Sequence, residues 1–173
     1  MNLVYHPNDW LDKKVQPFDF DKLDAKQIEK EMIELMTAEH GVGLAANQVG
    51  IDAQIFVMEP KTLEGYKEPF AIINPKIEKV STETIEGEEG CLSFPGLYFK
   101  VKRASALVAN FLDSTGKECN IEFKGWEARI FQHEFDHLQG INYIDRVSKL
   151  RLDMARKKQA KLLKKYKDII KYG

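Results

Sequence analysis

The sequence predicts an α+β protein in which mostly antiparallel β-sheets pack around a central helix, with an amphipathic helix at the C-terminus. Three observations support this class. One helical pattern opens the chain, a series of short strand patterns follows, and two helical patterns close it. The chain has 173 residues, enough for a sizeable core, so we expect residues 1–173 to form a single domain.

The first helix is predicted over residues 23–41. Apolar residues recur there at helical spacing, namely Ile28, Met32, Leu35 and Met36. Asp24 and Gln27 resemble a capping pair at its start, and Gly41 can end it.

A glycine-rich segment, GVGLAANQVG, follows this helix and precedes the strands. Strand-like patterns then occur at AQIFVME, FAIINP, KIEKVS, residues 82–85, YFKVKR, SALVANFLD and CNIEF. Gly65 and Pro69 mark a loop between the first two of these, and DSTGKE forms a turn between the last two.

Two helices are predicted after the strands. GWEARIFQHEFDHLQG reads as a helix that closes near Gly140. A basic amphipathic helix is predicted over residues 148–173. Its inner side is expected to carry Ala155, Leu162, Leu163, Tyr166 and Ile170.

Composition narrows the class of protein. No stretch approaches the roughly 20 apolar residues of a membrane span, and the N-terminus lacks the pattern of a secretory signal. With two cysteines, a disulfide framework is not expected. We therefore expect a cytoplasmic protein, with an organelle or a virus-infected host cell as compatible settings, and neither a membrane nor DNA as partner.

The charge is unevenly distributed. Residues 149–171 contain ten Lys or Arg and two Asp, a net charge of +8, which leaves −9 elsewhere because the whole chain carries −1. A basic helix on an acidic body is compatible with a solvated surface or with contact to a polyanion such as RNA.

The helix pattern at QHEFDH indicates a metal site. His133 and His137 are four residues apart and share one helix face, so both can bind one ion, and Glu134 can reach water at that ion. The surrounding helix is apolar, which makes a chance arrangement of exposed polar residues a poor explanation.

The third ligand follows by elimination. No histidine or glutamate follows the motif, which excludes the usual protease arrangements. Asp145, Asp153 and Asp168 remain as oxygen donors, but the last two lie in the basic tail. Cys91 in EGCLSFPG lies in an irregular segment and offers a thiolate, a strong ligand for zinc or ferrous iron. Cys119 lies in a strand pattern, where a cysteine is usually a small core residue.

Three motifs in this order, GVGLAANQVG, EGCLS and QHEFDH, resemble those of peptide deformylases. The resemblance covers roughly residues 3–147 and implies an α+β fold with the metal helix against antiparallel sheets. It also implies removal of the formyl group from the N-terminal formylmethionine of nascent polypeptides. The implied metal is Fe²⁺, with Zn²⁺, Ni²⁺ or Co²⁺ as substitutes.

The resemblance further implies a role for each matched residue. The metal ligands are Cys91, His133 and His137, and Glu134 is the general acid/base. Gln48 and the backbone N–H of Leu92 are the oxyanion donors. Val42, Gly43, Gly90 and Ile130 bind substrate, and Trp126 is a further candidate for the methionine pocket. In some deformylases the C-terminal helix contacts the ribosome, which the basic residues 148–173 would permit.

Two departures from the family pattern are visible. Asn47 stands where threonine or proline is common, and Tyr98 stands where some bacterial members have arginine. We expect effects on substrate preference rather than on the chemistry. Two other functions remain open: an endopeptidase that uses the same helix motif, and a binding protein that retains the fold without activity.

Overall fold

The computed structural model describes the backbone of residues 1–172 and the side chains of residues 1–165. The α-helices of that part are α1 (Ala25–Ala38), α2 (Gly125–Leu138) and α3 (Lys149–Tyr172). Its strands are β1 (Gly43–Ala45), β2 (Ile55–Met58), β3 (Phe70–Val80), β4 (Thr84–Cys91), β5 (Phe94–Ala104), β6 (Ala106–Leu112) and β7 (Glu118–Lys124). The predicted α+β class is confirmed.

The strands form two antiparallel units. Five of them make one sheet in the order β1-β2-β3-β6-β7, and β4 pairs only with β5 in a separate hairpin within the described residues. Because β3 and β6 are neighbours in the larger sheet, the β4–β5 hairpin is an insertion between two adjacent strands of that sheet. The segments FAIINP and KIEKVS, predicted as two strands, are one strand, β3, whose register against β6 shifts twice. These irregularities explain why the segment reads as two strands in the sequence.

Helix α1 begins as predicted, but the residue that turns the chain at its end is the one before the predicted Gly41. The side chain of Asp24 accepts a hydrogen bond from the backbone N–H of Gln27 at 3.0 Å. The left-handed residue at the other end is His40, at φ 57°, and the N–H of Gly41 then donates to the carbonyl of Met36 at 2.8 Å. This exit directs the glycine-rich segment toward α2.

Helix α2 lies between the two sheets. It contacts β1, β2, β6 and β7 of the larger sheet and β5 of the hairpin. Ten of its fourteen residues are buried, including both histidines and Glu134, so each buried polar group needs a partner inside the protein. Phe131 anchors the apolar side and meets Phe56 edge to face, with ring centroids 5.3 Å apart.

A second, smaller core lies beneath the hairpin. Its buried members are Leu11, Phe94, Leu97, Phe99, Val101 and Tyr143. Tyr143 stacks on Phe99 with ring centroids 4.7 Å apart and donates its hydroxyl to the carbonyl of Leu97 at 2.6 Å. Leu152 and Ala155 of α3 pack against this core, so the C-terminal helix is docked by its first turns.

The predicted inner side of α3 is only partly correct. Ala155 is partly buried, but Leu162 and Leu163 are 44% and 57% exposed. The side chains of Tyr166 and Ile170 lie outside the described part. Among the described residues, the last hydrogen bond from a side chain of the helix to the body is at Gln159, which donates to the carbonyl of Pro95 at 2.6 Å. Helical periodicity predicts which side of a helix packs on the rest of the protein, but it does not predict how far along the helix that packing extends.

No helix in the described residues is long and apolar enough to cross a membrane.

A buried leucine of the second core and an exposed leucine of α3 provide a comparison. We expect Leu97→Ala to lower the free energy of unfolding by about 2–5 kcal/mol, because Leu97 is 4% exposed in the second core. Leu163→Ala is expected to change it by less than about 0.5 kcal/mol. Urea denaturation measures both. Equal losses would show that Leu163 is buried like Leu97, so that α3 docks at least as far as Leu163.

Candidate metal centre

Three ligand atoms from two elements converge in the interior. Cys91 ends β4, and His133 and His137 lie one turn apart on α2. Among the described residues, their ligand atoms are the group that could hold a metal ion, all within 4.8 Å of one another. The Sγ of Cys91 lies 3.4 Å from the Nε2 of His137. One sulfur and two imidazole nitrogens are a donor set that fits zinc or ferrous iron and leaves a coordination position open.

The other ligand candidates lie elsewhere. Cys119 is on β7, where it packs at the border of the larger core. The carboxylate of Asp145 accepts the backbone N–H of Asn142 at 2.9 Å. Neither belongs to the convergent group.

A carboxylate that the sequence analysis missed orients the first histidine. Glu89 lies 3.0 Å from the Nδ1 of His133. Because an ionised carboxylate only accepts hydrogen bonds, Nδ1 carries a proton, and Nε2 is the atom that can bind a metal once it is deprotonated. The segment EGEEGC contains three glutamates, and only the alternation of β4 decides that Glu89 points inward. Its position two residues before Cys91 is the available signal.

Glu89 is also the centre of a buried ionic network. Arg103 donates to both of its oxygens, at 2.9 and 3.0 Å, and Arg129 donates at 2.7 Å. Arg103 continues to Asp136 on α2 at 2.5 Å, where Arg146 also donates, at 2.6 Å. Burial alone would raise the pKa of Glu89, but the bonds from His133 and Arg103 outweigh it and hold that pKa well below its usual range. The carboxylate therefore stays ionised.

Glu134 lies in a different environment. It is 4% exposed, and its Oε2 has no hydrogen-bond partner among the described residues. Its carboxylate packs so closely against Gly43 that any side chain at position 43 would overlap it. Burial raises the pKa of Glu134 to about 7, although the nearby His133 acts to lower it. A carboxylate with this pKa can both take up and release a proton near neutral pH.

The two histidines differ in their protonation. Burial pushes the pKa of His137 well below its ordinary value and keeps the ring neutral. Burial acts in the same direction on His133, but hydrogen bonds with Cys91 and Glu89 outweigh it and raise that pKa well above its ordinary value. Because metal ligands must be deprotonated at the binding atom, metal affinity should fall as the pH falls.

Gln48 presents its amide nitrogen to the centre. Its Oε1 accepts the backbone N–H of Ala45 at 2.9 Å, which fixes the orientation of the amide. The Nε2 atom then lies 3.4 Å from the Sγ of Cys91 and 3.1 Å from the Oγ of Ser93. The side chain is 1% exposed, so it is held in place rather than free to rotate.

A cavity of about 450 Å³ lies beside the candidate ligands, and Cys91 and His133 form part of its wall. Its walls include all the expected substrate-binding residues, namely Val42, Gly43, Gly90 and Ile130, together with Gln48, Leu92, Trp126, Tyr98 and Glu134. Tyr98 is 60% exposed and its ring lies against Gly90, where any side chain would collide with it. Asn47, in contrast, is fully buried and is not part of the wall.

A model of the polypeptide deformylase family matches residues 1–153. The chain belongs to the peptide deformylase family. A peptide deformylase from Borreliella burgdorferi is 43% identical over 145 residues, which cover 84% of this chain and 86% of the relative. The chloroplastic peptide deformylase 1B of Oryza sativa subsp. japonica is 38% identical over 171 residues, or 97% of this chain. The chain spans 62% of that relative's length.

Solved structures of peptide deformylases share the fold. Peptide deformylase 1B of Arabidopsis thaliana aligns with a TM-score of 0.82 at 37% identity and covers 97% of this chain and 93% of its own. The structure from Thermotoga maritima aligns with a TM-score of 0.77 at 39% identity, covering 85% and 97%. The family depends on a metal ion, and the Cys91, His133 and His137 group fits that requirement.

The two cysteines provide a direct test of the ligand set. We expect Cys91→Ser to leave the purified protein with little bound metal, because a neutral hydroxyl is a much weaker ligand than a thiolate. Cys119→Ser should retain the metal content of the parent. Elemental analysis measures both. The opposite result would place the site at Cys119.

Proposed function

We propose that this chain is a metal-dependent hydrolase that removes the formyl group from the N-terminal formylmethionine of newly synthesised polypeptides. The observation that carries the proposal is the convergence of Cys91, His133 and His137 within 4.8 Å, beside a cavity whose wall includes Glu134. Membership of the peptide deformylase family, whose known function is this deformylation, supports it. The catalytic unit proposed is residues 1–173, with 148–173 as its basic C-terminal helix.

The metal would be held by the thiolate of Cys91 and the Nε2 atoms of both histidines, which makes α2 the metal-binding helix. Fe²⁺ is the proposed resident ion, and Zn²⁺, Ni²⁺ or Co²⁺ can substitute. When bound, such an ion supplies Lewis acidity and lowers the pKa of a coordinated water toward neutrality. The chain's own residues then orient the substrate, move the proton and stabilise charge.

Glu134 is the proposed general acid/base. It accepts the proton of the attacking water and passes it to the departing amine nitrogen. Glu134 lines the same cavity as Cys91 and His133, and its raised pKa of about 7 suits both transfers. A nearby cation would lower that pKa and favour the ionised base.

Two donors are proposed to stabilise the charge on the formyl oxygen. The Nε2 of Gln48 is held by the Ala45 contact and faces the ligand Cys91, at 3.4 Å. Leu92 follows Cys91 directly in the turn between β4 and β5, and its backbone N–H is the second donor. Fixed donors of this kind are typically worth about a hundred- to a thousand-fold in rate.

The substrate would enter in an extended conformation along the cavity. Backbone groups of Val42, Gly43 and Gly90 would pair with it in the manner of an added strand. Ile130, 4% exposed, and the side chain of Val42 offer an apolar surface for the methionine side chain, with Trp126 at the rim. A space shaped for the small formyl group would exclude an acetyl group.

Two assays with one variant test the function. The wild-type protein, purified without oxygen, should release formate from formyl-Met-Ala and leave an internal peptide bond intact. Glu134→Gln should retain the metal and lose nearly all turnover, because an amide cannot accept the proton.

Each outcome of these assays has a consequence. Cleavage of the internal bond in place of deformylation would make the protein an endopeptidase. Metal binding without turnover in the wild type would leave a binding protein. Activity of Glu134→Gln within tenfold of the wild type would remove the role assigned to Glu134.

Contact with the ribosome through α3 is a second part of the proposal. The exposed basic residues of the helix include Arg156, Lys157, Lys161, Lys164 and Lys165. They extend from a body of opposite net charge, which would orient the basic helix toward the RNA-rich ribosome surface. Such binding falls steeply as salt rises.

We expect reversal of four of these charges, at Arg156, Lys157, Lys161 and Lys164, to weaken cosedimentation with ribosomes at low salt. Turnover of a short formyl-Met peptide should be unchanged. A matched control reverses four exposed lysines elsewhere, Lys26, Lys67, Lys76 and Lys79, and has the same net charge. If both variants lose binding equally, only net charge matters. If neither loses binding, α3 is a solvated surface.

A further inference from the structure

The last turn of α2 is attached to the glycine-rich segment by a buried asparagine. The carbonyl of His137 is one of the last four of the helix, which have no partner within the helix itself. It accepts the backbone N–H of Gly140 at 2.9 Å and the Nδ2 of Asn47 at 2.5 Å. Asn47 lies 90 positions away in sequence, so this is a tertiary cap on the helix that carries both histidines.

The contact fixes the orientation of the Asn47 amide. A backbone carbonyl only accepts hydrogen bonds, so Nδ2 must face it and Oδ1 must face away. That Oδ1 is buried, and among the described residues it has no hydrogen-bond partner. Asn47 is 0% exposed, and a buried amide oxygen without a partner is costly.

The ring of His137 has a buried nitrogen, Nδ1, that also has no hydrogen-bond partner in the described chain. Its Nε2 faces Cys91 at 3.4 Å, on the metal side of the ring. When Nε2 binds a metal, Nδ1 carries the proton and needs an acceptor. That Nδ1 is buried and has no partner within the described part of the chain. One donor and one acceptor are therefore unsatisfied on two residues that are already bonded to each other.

We propose that Asn47 is a positioning residue of the metal centre, which holds His137 at both its backbone and its ring. The backbone contact is the observed bond from Nδ2 to the carbonyl. The ring contact runs from the Nδ1–H of His137 to the Oδ1 of Asn47 through one buried water, the usual partner of buried polar groups that do not meet directly. This inference rests on the proposed function, since it requires the metal.

The arrangement makes the two histidine ligands differ in their support. His133 is oriented by the carboxylate of Glu89, whereas His137 is oriented by a neutral amide. Asn47 also shares the short 3-10 helix Ala46–Val49 with Gln48. One contact therefore fixes the metal helix relative to the proposed oxyanion donor.

Three variants in the zinc form test the proposal. Asn47→Leu keeps the branching of the side chain at Cγ and removes both bonds, and Asn47→Asp keeps only the acceptor. The control is Asn142→Leu. Asn142 is 2% exposed, donates its Nδ2 to the carbonyl of Leu11 at 3.3 Å, and also has a buried Oδ1 without a partner in the described chain. It makes no hydrogen bond to His137 in the described part of the chain, so it reports the general cost of losing a buried asparagine.

The measurement is the rate of zinc loss to excess chelator, well below the melting temperature of each variant. We expect Asn47→Leu to lose zinc about 10- to 100-fold faster than the wild type, as for other residues that support a ligand. Asn47→Asp should lose it more slowly than Asn47→Leu, and Asn142→Leu should stay within about twofold of the wild type. In ¹H–¹⁵N spectra, the Nδ1 proton of His137 should exchange slowly only where the acceptor remains.

Each result is decisive. Equal zinc loss from Asn47→Leu and Asn142→Leu would overturn the positioning role, and equal loss from the Leu and Asp variants at position 47 would overturn the bond to the ring. Zinc uptake and formyl-Met-Ala turnover of the wild type are measured first. A wild type that takes up no zinc overturns the proposed function itself, whereas an active wild type with insensitive variants overturns only the role of Asn47.

Discussion

The buried ion pair between Glu89 and Arg103 is the interaction on which the arrangement of the centre depends. Removing two charges from water is costly, and their mutual attraction compensates only when the geometry is good and the remaining hydrogen-bond positions are filled. Here Arg103 bonds both oxygens of Glu89, and Arg129 and His133 occupy the rest. The pair joins β4 to β5, and its bonds with Arg129, His133 and Asp136 hold both strands on α2, which brings Cys91 to the histidines.

The same network continues across the helix and limits its freedom. Arg103 reaches Asp136, which lies between the two histidines in sequence and is also bound by Arg146 beyond the helix end. The side chains that support the ligands are thus themselves fixed by charges, so the ligand atoms are arranged before a metal arrives. Such preorganisation reduces the entropy that metal binding would otherwise have to offset.

Local patterns in the sequence were sufficient for the class of fold, for α1 and α2, and for a metal helix hypothesis, because they depend on spacing within one element. Cys91 required elimination among donors along the whole chain. The roles of Glu89, Arg103 and Asn47 were not predicted, because they depend on strand alternation and on pairing between residues far apart in sequence. The exposed Leu162 shows the same limit: periodicity identifies a side of α3 but not the extent of the surface that covers it.

The central claim is that one thiolate and two imidazoles from β4 and α2 hold a single metal ion. X-ray absorption at the zinc edge of the zinc-loaded protein tests it most directly. The account predicts one sulfur at about 2.3 Å and two imidazole nitrogens at about 2.0–2.1 Å, with one oxygen as the fourth ligand. A first shell without sulfur, or with two sulfurs, would contradict it.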